Sequence, residues 1–163
     1  MAITTVTETY ILETNESATG LYAASGVIKH KNDSMTRTLT PTSTPPAATH
    51  AANNVPLVAG AATIDLTALT DWGLNEADPN ATGLKLQILA IKAKATNTAG
   101  ITITPGASNA YNALGSAFSV TLMAGQEIKF YGNDATPDVA SDAKTLDLAG
   151  TGTDSLDIEM IFG

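Results

Sequence analysis

Apolar and polar residues alternate with a period of two along several short runs, most clearly in the second half of the chain. Because successive side chains of a β-strand point to opposite faces, such runs predict strands with one buried and one wet face. Turn-forming residues separate the runs at intervals of about 10 to 15 residues. The runs are Gly83–Ile88, Ile101–Thr104, Phe118–Leu122, Glu127–Phe130, Thr145–Leu148 and Leu156–Met160.

This spacing predicts an all-β fold, an antiparallel β-sandwich of jelly-roll-like type that spans residues 55–163. No stretch of useful length follows the 3.6-residue period of a helix. One run changes face, since Leu84, Leu86 and Ile88 share one side while Leu89 and Ile91 share the other. Either both faces are covered there, or a β-bulge shifts the register near Ile88.

Residues 1–54 are predicted to form a separate N-terminal region of strands, a hairpin and an extended arm. A first strand lies within Met1–Leu12, and a second, Ala23–His30, is expected to turn back as a hairpin into Met35–Leu39. Thr40–Asn54 then contains Pro41, Pro45 and Pro46 among Thr, Ser and Ala. Proline lacks the donor that a central strand needs, so this segment is interpreted as a linker or an arm lying along a neighbouring molecule.

Composition narrows the possible partners. The chain has 163 residues, enough to bury a core without disulfides, and it contains no cysteine. Its formal net charge is −8 with only 8 lysines and arginines, so a nucleic-acid partner is not expected. No apolar run approaches the roughly 18 residues of a membrane-spanning helix, and a membrane partner is not expected either.

Catalytic chemistry is not predicted. Nucleophilic catalysis needs a base beside the nucleophile, and the two histidines, His30 and His50, are interpreted as solvated. No phosphate-binding glycine motif occurs. Two loops carry carboxylates that could serve acid–base chemistry or, in the second loop, calcium, but solvated turn residues are the favoured interpretation, and no metal or cofactor is expected. These carboxylates are Asp71, Glu76 and Asp78, then Asp134, Asp138 and Asp142.

Carbohydrate binding usually needs exposed aromatic rings, and aromatic residues make up 5% of this chain. Phe118, Phe130 and Phe162 occupy core-type strand positions. Three loop residues remain as sugar platforms: Trp72, Tyr111 and Tyr22. For Trp72, capping one end of the sandwich core is the favoured alternative.

A series of short motifs in the second half resembles a known class of proteins. Ile101–Thr104 is followed by the loop Gly106–Tyr111, the strand and turn Phe118–Gly125, the strand Lys144–Gly152 and a short apolar strand that ends at Gly163. This order is similar to the small β-sandwich virion structural proteins of tailed bacteriophages and prophages. The resemblance covers about half of the chain, from about residue 62. Where that class has proline before the turn glycine, this chain has Ala124.

The resemblance implies a non-enzymatic virion protein, most consistent with a capsid decoration or accessory role. The composition agrees, because charged residues are only 15% and a Thr- and Ala-rich surface suits burial against copies of the same chain. The expected partners are therefore the chain itself and a capsid or other virion protein. The alternative is a tail-fibre or carbohydrate-binding module. The predicted contact residues are Pro41, Pro45, Pro46, Trp72 and Tyr111.

Overall fold

A computed structural model describes residues 3–10, 13–18, 26–31, 35–73 and 78–163. All regular elements in these ranges are strands. They are β1 (Val6–Tyr10), β2 (Glu13–Ala18), β3 (Gly26–Lys31), β4 (Met35–Leu39), β5 (Thr49–Pro56), β6 (Ala61–Asp65), β7 (Leu86–Ala93), β8 (Ile101–Pro105), β9 (Val120–Leu122), β10 (Glu127–Tyr131), β11 (Thr145–Ala149) and β12 (Ser155–Phe162).

Strands β5 to β12 pair as four nested antiparallel couples. The first strand of this set pairs with the last, β5 with β12, and inside them β6 pairs with β11, β7 with β10 and β8 with β9. The folded couples form sheet I, in the order β10-β7-β12-β5, and sheet II, in the order β6-β11-β8-β9. This nesting across two sheets is jelly-roll topology, so the predicted fold class is confirmed.

The core lies between the two sheets. On β12 the inward positions alternate, and Leu156, Ile158, Met160 and Phe162 are all buried there. From sheet II, Ile103 and Leu148 face them as part of the same cluster. Burial on alternate residues of both sheets is the physical reason why the period-two pattern was informative.

The pairing in sheet I explains why the apolar residues of β7 change from one face of the strand to the other. The register shifts between Ile161 and Phe162, so that Phe162 lies opposite Leu86 and Gln87 becomes the extra residue of a bulge. Leu86, Leu89 and Ile91 then face the core, whereas Ile88 points outward and is buried in a second cluster. Both predicted alternatives therefore contribute, a bulge and a covered outer face.

The N-terminal strands form two further nested ladders. β1 pairs with β4, and β2 pairs with β3, both antiparallel. The predicted hairpin between the second strand and Met35–Leu39 is therefore wrong, because β4 returns to β1 instead of pairing with β3. Local turn residues indicate where the chain can reverse, but they do not determine which strand becomes the partner.

The proposed boundary between residues 54 and 55 falls inside β5. Residues from Thr49 to Pro56 pair with β12 along its whole length, so this part of the predicted arm is a sandwich strand. The preceding residues form a turn in which the Ala47 amide donates to the Thr40 carbonyl at 2.9 Å. The interpretation of Thr40–Asn54 as an extended arm is therefore wrong, because residues 40–47 form a turn and residues 49–54 are paired with β12. β5 is an edge strand, a position in which a sheet tolerates proline.

Candidate interaction surface

Tyr111 lies in the core and not at a loop tip. Its side chain is fully buried, its hydroxyl donates to the Pro137 carbonyl at 2.8 Å, and the same oxygen accepts from the Leu86 amide at 3.1 Å. Burial raises the pKa of Tyr111 to about 12. The contact and sugar-platform predictions for Tyr111 rested on exposure, and that premise is wrong.

Trp72 is also buried, with 7% of its surface exposed, and it belongs to the main core cluster. Its carbonyl accepts from the Ala52 amide at 3.1 Å, which fastens the loop to β5. The favoured interpretation of Trp72 as part of the core is confirmed, and its predicted exposure is wrong. Tyr22 lies outside the described residues.

The three prolines keep different degrees of exposure. Pro41 is exposed, whereas Pro45 and Pro46 are half-buried. Ser43 stabilises their turn, because its hydroxyl accepts a hydrogen bond from the Thr40 amide at 2.8 Å and donates one to the Pro45 carbonyl at 2.7 Å. Partner contact at these prolines stays a prediction.

On the outer face of sheet I, residues of the four strands line up in rows, because the register is continuous up to the bulge at Gln87. The two central residues of one row, Ile88 and Ile161, are covered by the β1–β4 ladder, because Leu39 is buried against them and Val6 packs on the same cluster. The ladder also reaches the β10 end of the next row, where Glu8 pairs with Lys129; this row and the one beyond it are called the open rows. The three rows are Tyr131-Ile88-Ile161-His50, Lys129-Ala90-Glu159-Ala52 and Glu127-Lys92-Asp157-Asn54.

The two open rows form a shallow groove of about 450 Å³ floored in part by Ala52 and Ala90. Small side chains between longer charged ones produce this depression. Lys94 pairs with Asp157 at 2.6 Å, and Asn54 donates to the same carboxylate at 3.0 Å. The Lys94 contact is the main reason why the pKa of Asp157 lies below its usual value. Most charges of this groove are thus already matched within the chain.

The fold brings one histidine against a carboxylate. His50 Nε2 lies 3.1 Å from Glu159 Oε1 on the outer face of sheet I, with the Glu159 side chain 61% exposed. The positions beside this pair in the register are Ala52 and Ile161, neither of which carries a nucleophile. A base without an adjacent hydroxyl or thiol lacks one half of a nucleophilic dyad. The side chain of His30 is not described.

The carboxylate loops do not form a cation site in the part of the chain that is described. No group of three or more His, Cys, Asp or Glu side chains there could hold a metal ion. Asp138 instead pairs with Lys85 at 2.7 Å, and Asp78 accepts from the Asp71 amide at 2.7 Å. Glu76 lies outside the described residues. Within the same ranges, no helix is long and apolar enough to cross a membrane.

A second, slightly larger cleft lies where the β1–β4 ladder meets the free edge of sheet I. It has a volume of about 530 Å³, and its walls are Glu8, Thr36 and Arg37 from the ladder and Glu127, Lys129 and Tyr131 from β10. Lys129 forms an ion pair with Glu8, and Arg37 donates to the Gly132 carbonyl at 2.7 Å. These two contacts fasten the ladder to the sheet edge.

Tyr131 is the aromatic residue that the sequence-based list of platforms omitted. It is 43% exposed, and the Arg37 guanidinium lies 5.4 Å from the centre of its ring. Burial of its hydroxyl and the neighbouring Glu8 carboxylate raise the pKa of Tyr131. The signal was present in the alternation of β10, since an inward Phe130 requires an outward Tyr131.

Comparisons with protein-family models, with curated proteins and with solved structures find no match to this chain.

Proposed function

We propose that this chain is a non-enzymatic structural protein of a bacteriophage virion, acting as a capsid decoration or accessory protein. It would work through contacts with copies of itself and with a capsid protein. Many weak contacts of this kind add up over a shell because each new contact is made at high effective concentration.

The observation that carries this proposal is the combination of a jelly roll with a separate two-stranded ladder, β2–β3. Jelly rolls recur in viral capsid and lectin domains. Among the described residues, the β2–β3 ladder is a two-stranded sheet of its own, with hydrogen-bonded pairing only between β2 and β3. An isolated two-stranded ladder is at best marginally stable in water, and its outer edges can pair with another chain. A neighbouring molecule in an assembly would supply that support.

The motif resemblance in residues 101–163 supports the same role independently. Those motifs correspond to β8, the Tyr111 loop, β9, β11 and β12, which are strands and turns of the jelly roll. A fold alone does not define a function, so the virion assignment rests on these features together.

An enzymatic role is the weaker alternative. Among the described residues, the His50–Glu159 pair favours it, because a histidine and a carboxylate in contact can act as a general base and its orienting group. Substitution of His50 by alanine is expected to leave assembly and particle stability unchanged. A hydrolytic activity that His50→Ala abolishes would contradict the proposal.

Immunogold electron microscopy of particles from the source, with antibody against this chain, tests the proposal directly. We expect even labelling of the head. Labelling confined to the tail or fibres would move the protein to an adsorption role, and absence of label on every particle would remove the virion assignment. Light scattering of the purified chain provides the second measurement, in which we expect a homo-oligomer.

A further inference from the structure

The cleft between the β1–β4 ladder and β10 combines three features that are typical of a ligand-binding site. These are a partly exposed aromatic ring, lysine and arginine side chains held by contacts within the chain, and a carboxylate with one buried oxygen that has no hydrogen-bond partner among the described residues. Its volume of about 530 Å³ lies in the range of small-molecule sites, about 300 to 1,000 Å³. The neighbouring groove on sheet I has no aromatic side chain in its lining.

The first feature is Tyr131, whose ring is held in place and remains partly open. Arg37 stacks at 5.4 Å from the ring centre and is itself held by the Gly132 carbonyl at 2.7 Å. Tyr131 still exposes 43% of its surface. A planar ring that is partly exposed to solvent offers an apolar platform for a ligand. Because the ring is already held in place, ordering it costs little entropy on binding.

The second feature is the carboxylate of Glu8. One oxygen pairs with Lys129, and Oε2 is buried without a hydrogen-bond partner among the described residues. The carboxylate also lies beside the Tyr131 hydroxyl, whose pKa is raised by burial and by this carboxylate. A buried acceptor that lacks a donor is unfavourable, so a ligand that supplies a hydroxyl or amide donor would satisfy it. Lys129 and Arg37 beside it are donors toward ligand oxygens.

The charges of the cleft then select the class of ligand. Glu8 and Glu127 are balanced by Arg37 and Lys129, so neither an anion nor a cation is favoured. What remains is a molecule with an apolar face for the ring and several hydroxyls that both donate and accept. We propose that this cleft binds a neutral saccharide unit, stacked on Tyr131 with a hydroxyl donated to Glu8. The inference does not depend on the virion assignment.

The test is binding of the full-length chain to an array of neutral and acidic glycans, followed by calorimetry with the neutral oligosaccharide that binds best. We expect binding to neutral glycans. Tyr131→Ala is expected to weaken it about tenfold or more, as for the loss of an aromatic anchor, and Glu8→Gln to weaken it as well. Tyr131→Phe retains the ring and is expected to stay within about threefold.

The matched control is Val58→Ser, because Val58 is another exposed hydrophobic residue, 76% exposed, and it does not line the cleft. Thermal unfolding of each variant establishes that it is folded before binding is measured. Failure of the wild-type chain to bind any neutral glycan would overturn the inference. Binding that Tyr131→Ala leaves unchanged would also overturn it, as would displacement of the glycan by inorganic phosphate. None of these outcomes bears on the labelling of particles.

Discussion

The jelly roll and the N-terminal ladders are both made of antiparallel pairs, yet they bury apolar surface very differently. In the jelly roll, two four-stranded sheets face each other and share one large buried cluster. Among the side chains of β1 and β4 that the structure describes, Leu39 is the one that is fully buried, in a small cluster on the outside of sheet I. The same secondary structure is thus self-supporting in one region and dependent on its neighbour in the other, because only stacked sheets enclose a core.

The largest effect that follows from this comparison concerns Phe162, which is fully buried in the jelly-roll core. Phe162→Ala is expected to lower the free energy of unfolding by about 3–5 kcal/mol, because it leaves a cavity between the sheets. Urea denaturation measures the change. Met123→Ala, at a 54% exposed position, serves as the control and is expected to stay within about 0.5 kcal/mol. Equal effects of the two would contradict a core between the sheets.

Tyr111 provides the next test within the jelly roll. Tyr111→Phe is expected to cost about 1–3 kcal/mol, because the Leu86 amide and the Pro137 carbonyl lose their shared partner. The pKa of Tyr111 is raised from 10.0 to about 12 in the folded state. Between these two pH values the folded chain therefore keeps the hydroxyl proton, whereas the unfolded chain loses it.

Its contribution is therefore fully present below pH 10 and is lost as the pH rises toward 12. That loss corresponds to about 2–3 kcal/mol. Denaturation curves collected between pH 9 and 12 should show a steeper decline for the wild type than for Tyr111→Phe. Parallel declines would mean that Tyr111 does not control the alkaline transition.

The dependence of the ladder on sheet I is tested by Leu39→Ala. We expect about 2 kcal/mol of local destabilisation, the low end for Leu→Ala, because the cluster is small. Hydrogen exchange should accelerate in β1 and β4, while the amides of β7 and β12 keep their protection. Leu148→Ala, in the main core, is the control and should accelerate exchange in both regions. A uniform response to Leu39→Ala would erase the distinction between them.

The smallest effect is expected at Asp154, a half-buried residue whose carboxylate joins two turns of the jelly roll. It accepts from the amides of Thr98 and Ala99, each at 3.0 Å, and the Thr98 amide is the main reason why its pKa lies below the ordinary 3.8. A lowered pKa stabilises the folded state above pH 3.8 and loses this effect as the pH falls. Asp154→Asn should therefore lower the Tm slightly at pH 7 but not at pH 2. A difference that persists at pH 2 would rule out this charge as its cause.

Much of the jelly roll could be predicted because its strands report burial on every second residue. The six predicted runs overlap β7 to β12. Residues 49–54 were missed because the prolines before them suggested an arm, whereas β5 is an edge strand whose alternation is weak, with Ala51 as its one fully buried residue. The predicted exposure of the two loop aromatic residues was wrong for a different reason. Trp72 and Tyr111 lie in loops, but these loops fold back over the core, and loop position alone does not determine exposure.

The sequence by itself determined that this protein is built of strands, that no cysteine chemistry is available and that the second half forms a sandwich. Those properties are local, since they follow from composition and from alternation along one strand. The tertiary structure alone decided that β4 pairs with β1, that Tyr111 is buried and that Glu8, Arg37 and Tyr131 share one cleft. β1 and β10 lie more than a hundred positions apart in the chain, and only the pairing and packing of distant strands brings them together.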